Sequence, residues 1–134
     1  MSVSGIPSHD ARAVWPIVEK WIAPCLQLVD TGYELSDLLH AIEERDKQLW
    51  LINEGQAVGI TSILVLPRWK KLVVEYLGGE GLDSWGEEWH EVVHGFADAH
   101  GCKYIEVHGR SGWARYARRW GCRTESMIIS RSQV

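Results

Sequence analysis

The segment 70–121 alternates between strand-like and helix-like patterns, and this alternation restricts the fold more than any other feature of the chain. β-Branched and apolar residues predict a strand over residues 70–77. A glycine-rich turn leads from this strand into an amphipathic pattern that predicts a helix over residues 82–100. A further strand is predicted over residues 103–107 and a further helix over residues 111–120. Strands that alternate with helices in this way indicate a sheet covered by helices.

The N-terminal half predicts helices first and antiparallel strands afterwards. The other predicted elements are a short strand over residues 3–6, helices over 8–23 and 35–45, strands over 48–53 and 57–66, and a last strand over 123–130. Ser8 is the candidate cap of the first helix, and Pro16 either starts the helix proper or kinks it. A turn signal at residues 53–55 makes residues 48–77 an antiparallel meander. We expect one α/β (α+β) domain over residues 1–134, with a mixed central sheet and helices on both faces.

The size and composition of the chain indicate one ordinary globular domain. Its 134 residues are 46% hydrophobic and 24% charged, and a chain of this length buries roughly two-thirds of its unfolded surface. The three cysteines form no CxxC pair, which suits a reducing compartment better than a disulfide framework. The longest apolar run, residues 60–66, is too short to cross a membrane. We therefore expect a cytoplasmic protein without a membrane partner.

The formal net charge of −4 hides a division along the chain. Residues 72–102 contain seven carboxylates and no Lys or Arg, whereas residues 103–134 contain seven basic residues and two carboxylates. Either the two segments face each other, or each is simply solvated, or the basic segment forms an anion-binding face. The overall charge does not favour a nucleic-acid partner.

The order of elements and the glycine-rich turn together resemble the GNAT superfamily of acyl-CoA N-acyltransferases. In that superfamily a loop of the form Gln or Arg, two residues, Gly, one residue, Gly or Ala binds the diphosphate of the cofactor. Here the loop reads Tyr76-Leu77-Gly78-Gly79-Glu80-Gly81, with Tyr in the first place. Glycines let backbone amides close on phosphate oxygens, and the start of the following helix adds partial positive charge. The segment 109–113, followed by Gly121, also resembles short GNAT-like proteins encoded by tailed phages.

The resemblance implies that acetyl-CoA is the cofactor and that an acyl-CoA and an amine acceptor are the partners. The chain does not specify the acceptor. The cofactor would lie between the strand that ends at Leu77 and the strand that begins at Lys103, where the sheet is expected to splay. The candidate cofactor-binding residues are Val74, Tyr76, Gly78, Gly79, Gly81 and Leu82.

Catalysis of acyl transfer to an amine needs a base that takes a proton from the amine. Glu75 and His108 lie on the two strands that would flank the cofactor, and they are the candidate bases. The resemblance places a general-acid Tyr four residues before Gly121. Ala117 occupies that place, so the neighbouring Tyr116 is the candidate acid.

The helix over residues 82–100 also contains His90-Glu91-Val92-Val93-His94, a full HExxH motif. Together with His100 it resembles the metzincin signature HExxHxxGxxH, in which two histidines bind zinc and the Glu activates its water. Ala97 stands in place of the glycine and disfavours the turn that would bring His100 round, and the helical pattern runs on to Gly101. We therefore expect no metal, and zinc at His90, His94 and His100 is the minority interpretation.

Two functional hypotheses of different classes follow, and the zinc hydrolase is a third. The first is an acetyl-CoA-dependent N-acetyltransferase. The second is a non-catalytic GNAT-fold protein of a phage, acting in the virion or on a host partner. Carboxylates around the loop favour the second, because they would repel a diphosphate. They are Glu80, Asp83, Glu87 and Glu88. The chain contains eight tryptophans. If some of them are exposed, they would favour a homodimer.

Overall fold

The computed structural model describes residues 2–28, 31–109, 113–123, 131 and 133. The elements are β1 (Val3–Ile6), a 3-10 helix (Ser8–Val14), α1 (Trp15–Leu28), α2 (Leu35–Glu43), β2 (Gln48–Ile52), β3 (Ala57–Val65), β4 (Lys70–Gly79), α3 (Leu82–Ala99), β5 (Cys102–Val107) and α4 (Trp113–Arg119). Apart from the first helix, they agree with the predicted elements to within two residues at each described end. Residues 111–112, the start of the last predicted helix, lie outside the described residues. The last predicted strand, residues 123–130, lies outside the described residues apart from Arg123.

The first helix differs from its prediction because its first part is a 3-10 helix. Pro16 lies in the first turn of α1, so it starts the α-helix and does not kink it. A proline fits there because the first amides of a helix have no intrahelical acceptor. Ser8 is not the cap, because the 3-10 helix is preceded by Pro7 and has no side-chain cap. The α-helix then continues beyond the predicted end, to Leu28.

The five strands form one mixed sheet in the order β1-β2-β3-β4-β5. The first four strands pair antiparallel, and β5 pairs parallel with β4 after the crossover through α3. This is the predicted fold class: an antiparallel meander extended into a mixed sheet. Within the part of the chain that the structure describes, no helix is long and apolar enough to cross a bilayer.

Helices cover both faces of the sheet, and each face has its own apolar core. On one face, residues of α1 and α2 pack against β2, β3 and β4, with Val18, Ile22 and Leu38 fully buried. On the other face, α3 packs against the sheet through Trp85, Trp89 and further residues at helical spacing. α1 and α3 hold β4 between them.

The pairing of β4 with β5 stops halfway along β4. The last paired residues are Val74 and Val107, and the amide of His108 donates a hydrogen bond of 2.9 Å to the carbonyl oxygen of Val74. Beyond this point β4 continues to Gly79, whereas β5 has ended. The sheet therefore opens between these two strands.

Candidate functional site

An open cleft of about 380 Å³ lies at the place where β4 and β5 separate. It is on the face of the sheet that α1 and α2 cover in part. Its walls come from the α1–α2 connection and from three strands: Thr31, Tyr33, Ser62, Leu64, Val73, Glu75, Tyr76, Glu106 and His108. Two of the predicted catalytic residues, Glu75 and His108, therefore line one cleft.

A β-bulge in β4 shapes the floor of this cleft. Tyr76 pairs with Ile60 and Val74 pairs with Thr61, so Glu75 is an extra residue without a partner in β3. Side chains alternate between the two faces of a regular strand, and an inserted residue interrupts that alternation. Consequently the consecutive residues Glu75 and Tyr76 both line the cleft.

Glu75 is held by an ion pair inside the cleft. Lys47 Nζ lies 2.7 Å from Glu75 Oε1 and 2.6 Å from Oε2, and the Ser62 hydroxyl also donates to Oε1. The Lys47 side chain is 9% exposed and the Glu75 side chain 16%, so water screens this pair weakly. The Tyr33 ring lies 4.9 Å from Lys47 Nζ, in the geometry of a cation–π contact. Both carboxylate oxygens of Glu75 are thus occupied by donors.

Tyr76 contributes its side chain to the cleft, although the sequence suggested a place in the cofactor loop. Its hydroxyl donates a hydrogen bond of 2.9 Å to Thr31 Oγ1 in the α1–α2 connection. Burial raises the pKa of the Tyr76 hydroxyl above its ordinary value. Tyr76 therefore stays neutral and links β4 to that connection.

A second cluster of polar side chains joins β4, β5 and the residue that follows β5. Lys71 Nζ is 2.6 Å from Glu106 Oε1, and His108 Nε2 is 2.6 Å from Glu106 Oε2. The hydrogen bond from Lys71, followed in importance by that from His108, holds the pKa of Glu106 below its ordinary value against the opposing effect of burial. Glu106 is therefore a carboxylate that connects Lys71 to His108.

Tyr116, the third predicted catalytic residue, lies elsewhere. It is on α4, and its hydroxyl donates a hydrogen bond of 3.1 Å to Asp83 Oδ1 in the first turn of α3. A small pocket of about 20 Å³ between α3 and α4 has Tyr116 and Leu82 in its wall. Tyr116 is not among the described residues that line the cleft with Glu75 and His108.

The glycines of the loop are in close contact with the protein itself. A Cβ atom at Gly78 would lie 2.5 Å from the Trp21 carbonyl oxygen, and one at Gly79 would lie 2.3 Å from Ala57 Cβ. Gly79 also has a φ of +151° and Gly81 a φ of +74°, which side-chain-bearing residues rarely adopt. Close packing of β4 against α1 and β3 is therefore sufficient to require glycine here.

The start of α3 has features that both favour and oppose an anion. Gly81 is the N-cap, and no described side chain caps the helix. The amide of Ser84 already donates a hydrogen bond of 2.8 Å to the Gly81 carbonyl oxygen, so the amides of Leu82 and Asp83 are the ones that remain available for a ligand. Asp83 and Glu87 lie close by and place negative charge there. Arg119 of α4 partly balances them, with its guanidinium 3.6 Å from Glu87 Oε1. Here the acidic and basic segments of the chain do face each other.

An acyl-CoA would fit this site through backbone groups rather than through charge. Val74 is buried beneath α3, and Leu82 begins α3 with a half-buried side chain. Because both side chains are apolar, neither offers a polar group to a ligand. The fit rests on the uncapped helix start and on the gap between β4 and β5.

The histidines of the HExxH motif do not converge. His90 stacks on Trp120 at 5.2 Å between ring centroids, His94 pairs with Asp98 at 3.3 Å, and His100 packs against Phe96. The helix continues past Ala97 to Ala99 and ends with Gly101 at a φ of +70°. Across residues 2–28, 31–109 and 113–123, no group of three or more His, Cys, Asp or Glu residues could hold a metal ion.

The sequence analysis missed the three described residues whose side chains hydrogen-bond to the side chains of Glu75 and His108. Glu106 could have been found, because it lies two residues before His108 on a strand and therefore on the same face. Ser62 had a weaker signal as a polar residue within the apolar run of β3. Lys47 had no signal, because only the folded sheet brings it to Glu75.

The fold matches those of solved acetyltransferases. A probable acetyltransferase matches with a TM-score of 0.74 at 7% identity, covering 100% of this chain and 97% of its own. A ribosomal-protein-alanine N-acetyltransferase from Brucella melitensis biovar Abortus matches with a TM-score of 0.71 at 10% identity, covering 98% of this chain and 100% of its own. Glucosamine-6-phosphate N-acetyltransferase from Arabidopsis thaliana matches with a TM-score of 0.64 at 15% identity, covering 99% and 98%. The sequence matches no protein-family model, and no curated protein matches it at a significant level.

These similarities show the fold. The chain has the fold of the GNAT acetyltransferases, a mixed α+β arrangement with a five-stranded sheet in the described residues. The predicted fold class is therefore confirmed.

Proposed function

We propose that this protein is an N-acyltransferase of GNAT type, that it uses acetyl-CoA or a related acyl-CoA, and that its single domain extends over residues 1–134. The observation that carries the proposal is the cleft at the opening between β4 and β5, where two candidate bases lie beside a strand bulge. On a fold shared with acetyltransferases, this is the place where a thioester and an amine can meet.

The cofactor would bind through backbone amides at the start of α3 and along β4 after Val74, including the loop from Tyr76 to Leu82. Acyl-CoA supplies the acyl group as a thioester, and transfer makes an amide bond to the acceptor nitrogen while the thiol leaves. Strand amides that β5 leaves unpaired would polarise the acyl carbonyl. Tyr116 would supply a proton to the thiolate if α4 moves away from Asp83.

The amine acceptor would bind in the cleft on the α1–α2 face. Glu75 and Glu106 give this cleft two carboxylates, which suit an ammonium group. Glu75 or His108 would take the proton that makes the nitrogen nucleophilic. The polar lining and the exposed position of His108 fit an acceptor that enters from solvent.

Calorimetry with acetyl-CoA tests the cofactor part of this proposal. We expect binding that strengthens about 2- to 5-fold when Asp83→Asn or Glu87→Gln removes one negative charge near the diphosphate. Glu91→Gln is the matched control, because it removes the same charge from an exposed position of α3 further from its start. The same protein should release thiol from acetyl-CoA in the presence of primary amines.

Two results would contradict the proposal. One is the absence of binding at millimolar acetyl-CoA in the wild type and in the Asp83→Asn/Glu87→Gln variant. The other is an equal gain in affinity from Glu91→Gln, which would indicate a nonspecific charge effect.

A second candidate is a non-catalytic protein of this fold that binds a macromolecular partner, in a phage virion or on a host protein. The observation that favours it is the glycine loop, whose Cβ positions are filled by the protein's own atoms while carboxylates surround the helix start. Failure of acetyl-CoA binding, together with retained folding, would support this candidate. A homodimer or an assembly in the phage particle would then be examined by mass measurement in solution.

A further inference from the structure

We infer that Glu106 is a positioning residue, which fixes the ring of His108 so that its Nδ1 takes the proton of the acceptor amine, and that Glu75 is a structural anchor. This inference rests on the proposed function. It divides the roles of the two candidate bases according to the partners that each one has.

The partners of Glu75 make it a poor base. Its two oxygens accept hydrogen bonds from the ammonium group of Lys47 and from the hydroxyl of Ser62. To take a proton, the carboxylate would give up a charged partner that is even more buried than itself. Its contacts instead join β2, β3 and the bulge of β4 into the floor of the cleft.

The partners of His108 make it a good base. Glu106 is the only described residue with a hydrogen bond to the ring, and it contacts Nε2. An ionised carboxylate only accepts hydrogen bonds, so in the neutral form of the ring Nε2 carries the proton and Nδ1 keeps its lone pair. The low pKa of Glu106, caused first by Lys71 and also by His108, keeps the carboxylate in this accepting form.

The backbone fixes the same arrangement. Glu106 and His108 are two residues apart at the end of β5, so both side chains lie on the cleft face. The amide of His108 is bound to the carbonyl of Val74, the last paired residue of β4. His108 is the first residue after β5, so it lies at the mouth of the gap in which the thioester is proposed to lie.

Lys71 makes the inference testable, because it decides how an amide at position 106 would orient. In Glu106→Gln the ammonium group of Lys71 requires an acceptor and takes the amide oxygen. The amide NH₂ then faces His108, so Nε2 becomes the acceptor and the ring proton moves to Nδ1. The base is lost although the side chain keeps its size. An amide in place of a carboxylate behind a catalytic histidine is known to select the wrong tautomer.

The experiment compares wild type, Glu106→Gln, Lys71→Met and the double variant Lys71→Met/Glu106→Gln. Nitrogen-15 NMR of the histidine ring reports the tautomer, and acetyl transfer to a saturating primary amine reports kcat and KM. We expect Glu106→Gln to invert the tautomer and to lower kcat about 10- to 100-fold with KM for acetyl-CoA changed less than about 3-fold. In the double variant the amide can turn its oxygen to Nε2, so we expect the wild-type tautomer to return and kcat to recover at least half of the loss on a logarithmic scale.

Three outcomes overturn the inference: an unchanged tautomer in Glu106→Gln, an inverted tautomer with wild-type kcat, or no recovery in the double variant. His108→Gln should lose at least as much kcat as Glu106→Gln, and a smaller loss also overturns it. A wild-type protein that acetylates no amine contradicts the proposed function instead, and the NMR comparison still decides whether Glu106 sets the ring of His108.

Discussion

The glycine loop at the end of β4 and the cleft halfway along the same strand differ in how visible they are in the sequence and in what they do in the structure. The loop is a recognisable motif, yet its glycines contact the protein's own atoms at Trp21 and Ala57. The cleft contains no recognisable motif, yet it collects two ion pairs and a histidine from separate parts of the chain. The motif thus reports the fold, and the proposed chemistry lies where separate segments of the chain converge.

The largest effect is expected from a methyl group added to the loop. Gly79→Ala would force its Cβ against Ala57 and place alanine at a φ of +151°. Overpacking and backbone strain together should lower the free energy of unfolding by about 2–5 kcal/mol. Urea denaturation followed by tryptophan fluorescence measures this loss.

Gly95→Ala is the matched control for the loop variant. Gly95 is an exposed glycine within α3, and a Cβ there would meet no atom within 4 Å. Alanine should raise the free energy of unfolding by about 0.5–1 kcal/mol, because it favours the helix. If Gly79→Ala instead kept its stability and lost only acetyl-CoA binding, the ligand and not the packing would require glycine at this position, and the comparison would reverse.

The fold was predictable because its signals are local. The spacing of apolar residues, the turn residues and the glycine at the end of α3 are patterns that extend over only a few residues. They were enough to predict the strands, the helices and the crossover. The prediction of the first helix was wrong because a 3-10 helix and an α-helix have similar spacing of apolar residues over two turns. Tertiary packing then extended α1 past Pro24.

The cleft was only half predictable, for two physical reasons. The bulge at Glu75 changes the face of every residue after it, so strand period alone places Tyr76 on the wrong side. Lys47 joins Glu75 across the sheet, and no spacing in the sequence encodes that contact. His108 and Glu106 differ, because one strand carries both and their period-2 spacing was readable.

An intermediate effect is expected when the cleft loses a charge. The Glu75 side chain is 16% exposed in the wild type. In Lys47→Met its carboxylate keeps Ser62 as its remaining described donor. Removal of one partner of a largely buried pair should lower the free energy of unfolding by about 1–3 kcal/mol. Lys47→Met/Glu75→Gln should recover most of this loss, because no charge is then left unpaired.

The exposed pair between Arg12 and Glu43 serves as the control for this variant. Their guanidinium and carboxylate are 2.9 Å apart, but the Arg12 side chain is 72% exposed. Arg12→Met should therefore change the free energy of unfolding by less than about 1 kcal/mol. Equal losses from Lys47→Met and Arg12→Met would mean that the cleft is an ordinary solvated surface.

The smallest effect is expected from pH, and it concerns the second polar cluster, formed by Lys71, Glu106 and His108. The folded protein holds the pKa of Glu106 below its ordinary value of 4.5, chiefly through Lys71. A carboxyl with a lowered folded pKa adds stability that is fully present above the unfolded pKa and is lost as pH falls through the folded pKa. The difference in free energy of unfolding between wild type and Lys71→Met should therefore be constant above about pH 6 and shrink towards about pH 3. Lys103, an exposed lysine of β5, is on the strand that also carries Glu106, and Lys103→Met should leave the wild-type pH dependence intact. A difference that does not shrink in acid would show that Lys71 acts by packing and not through Glu106.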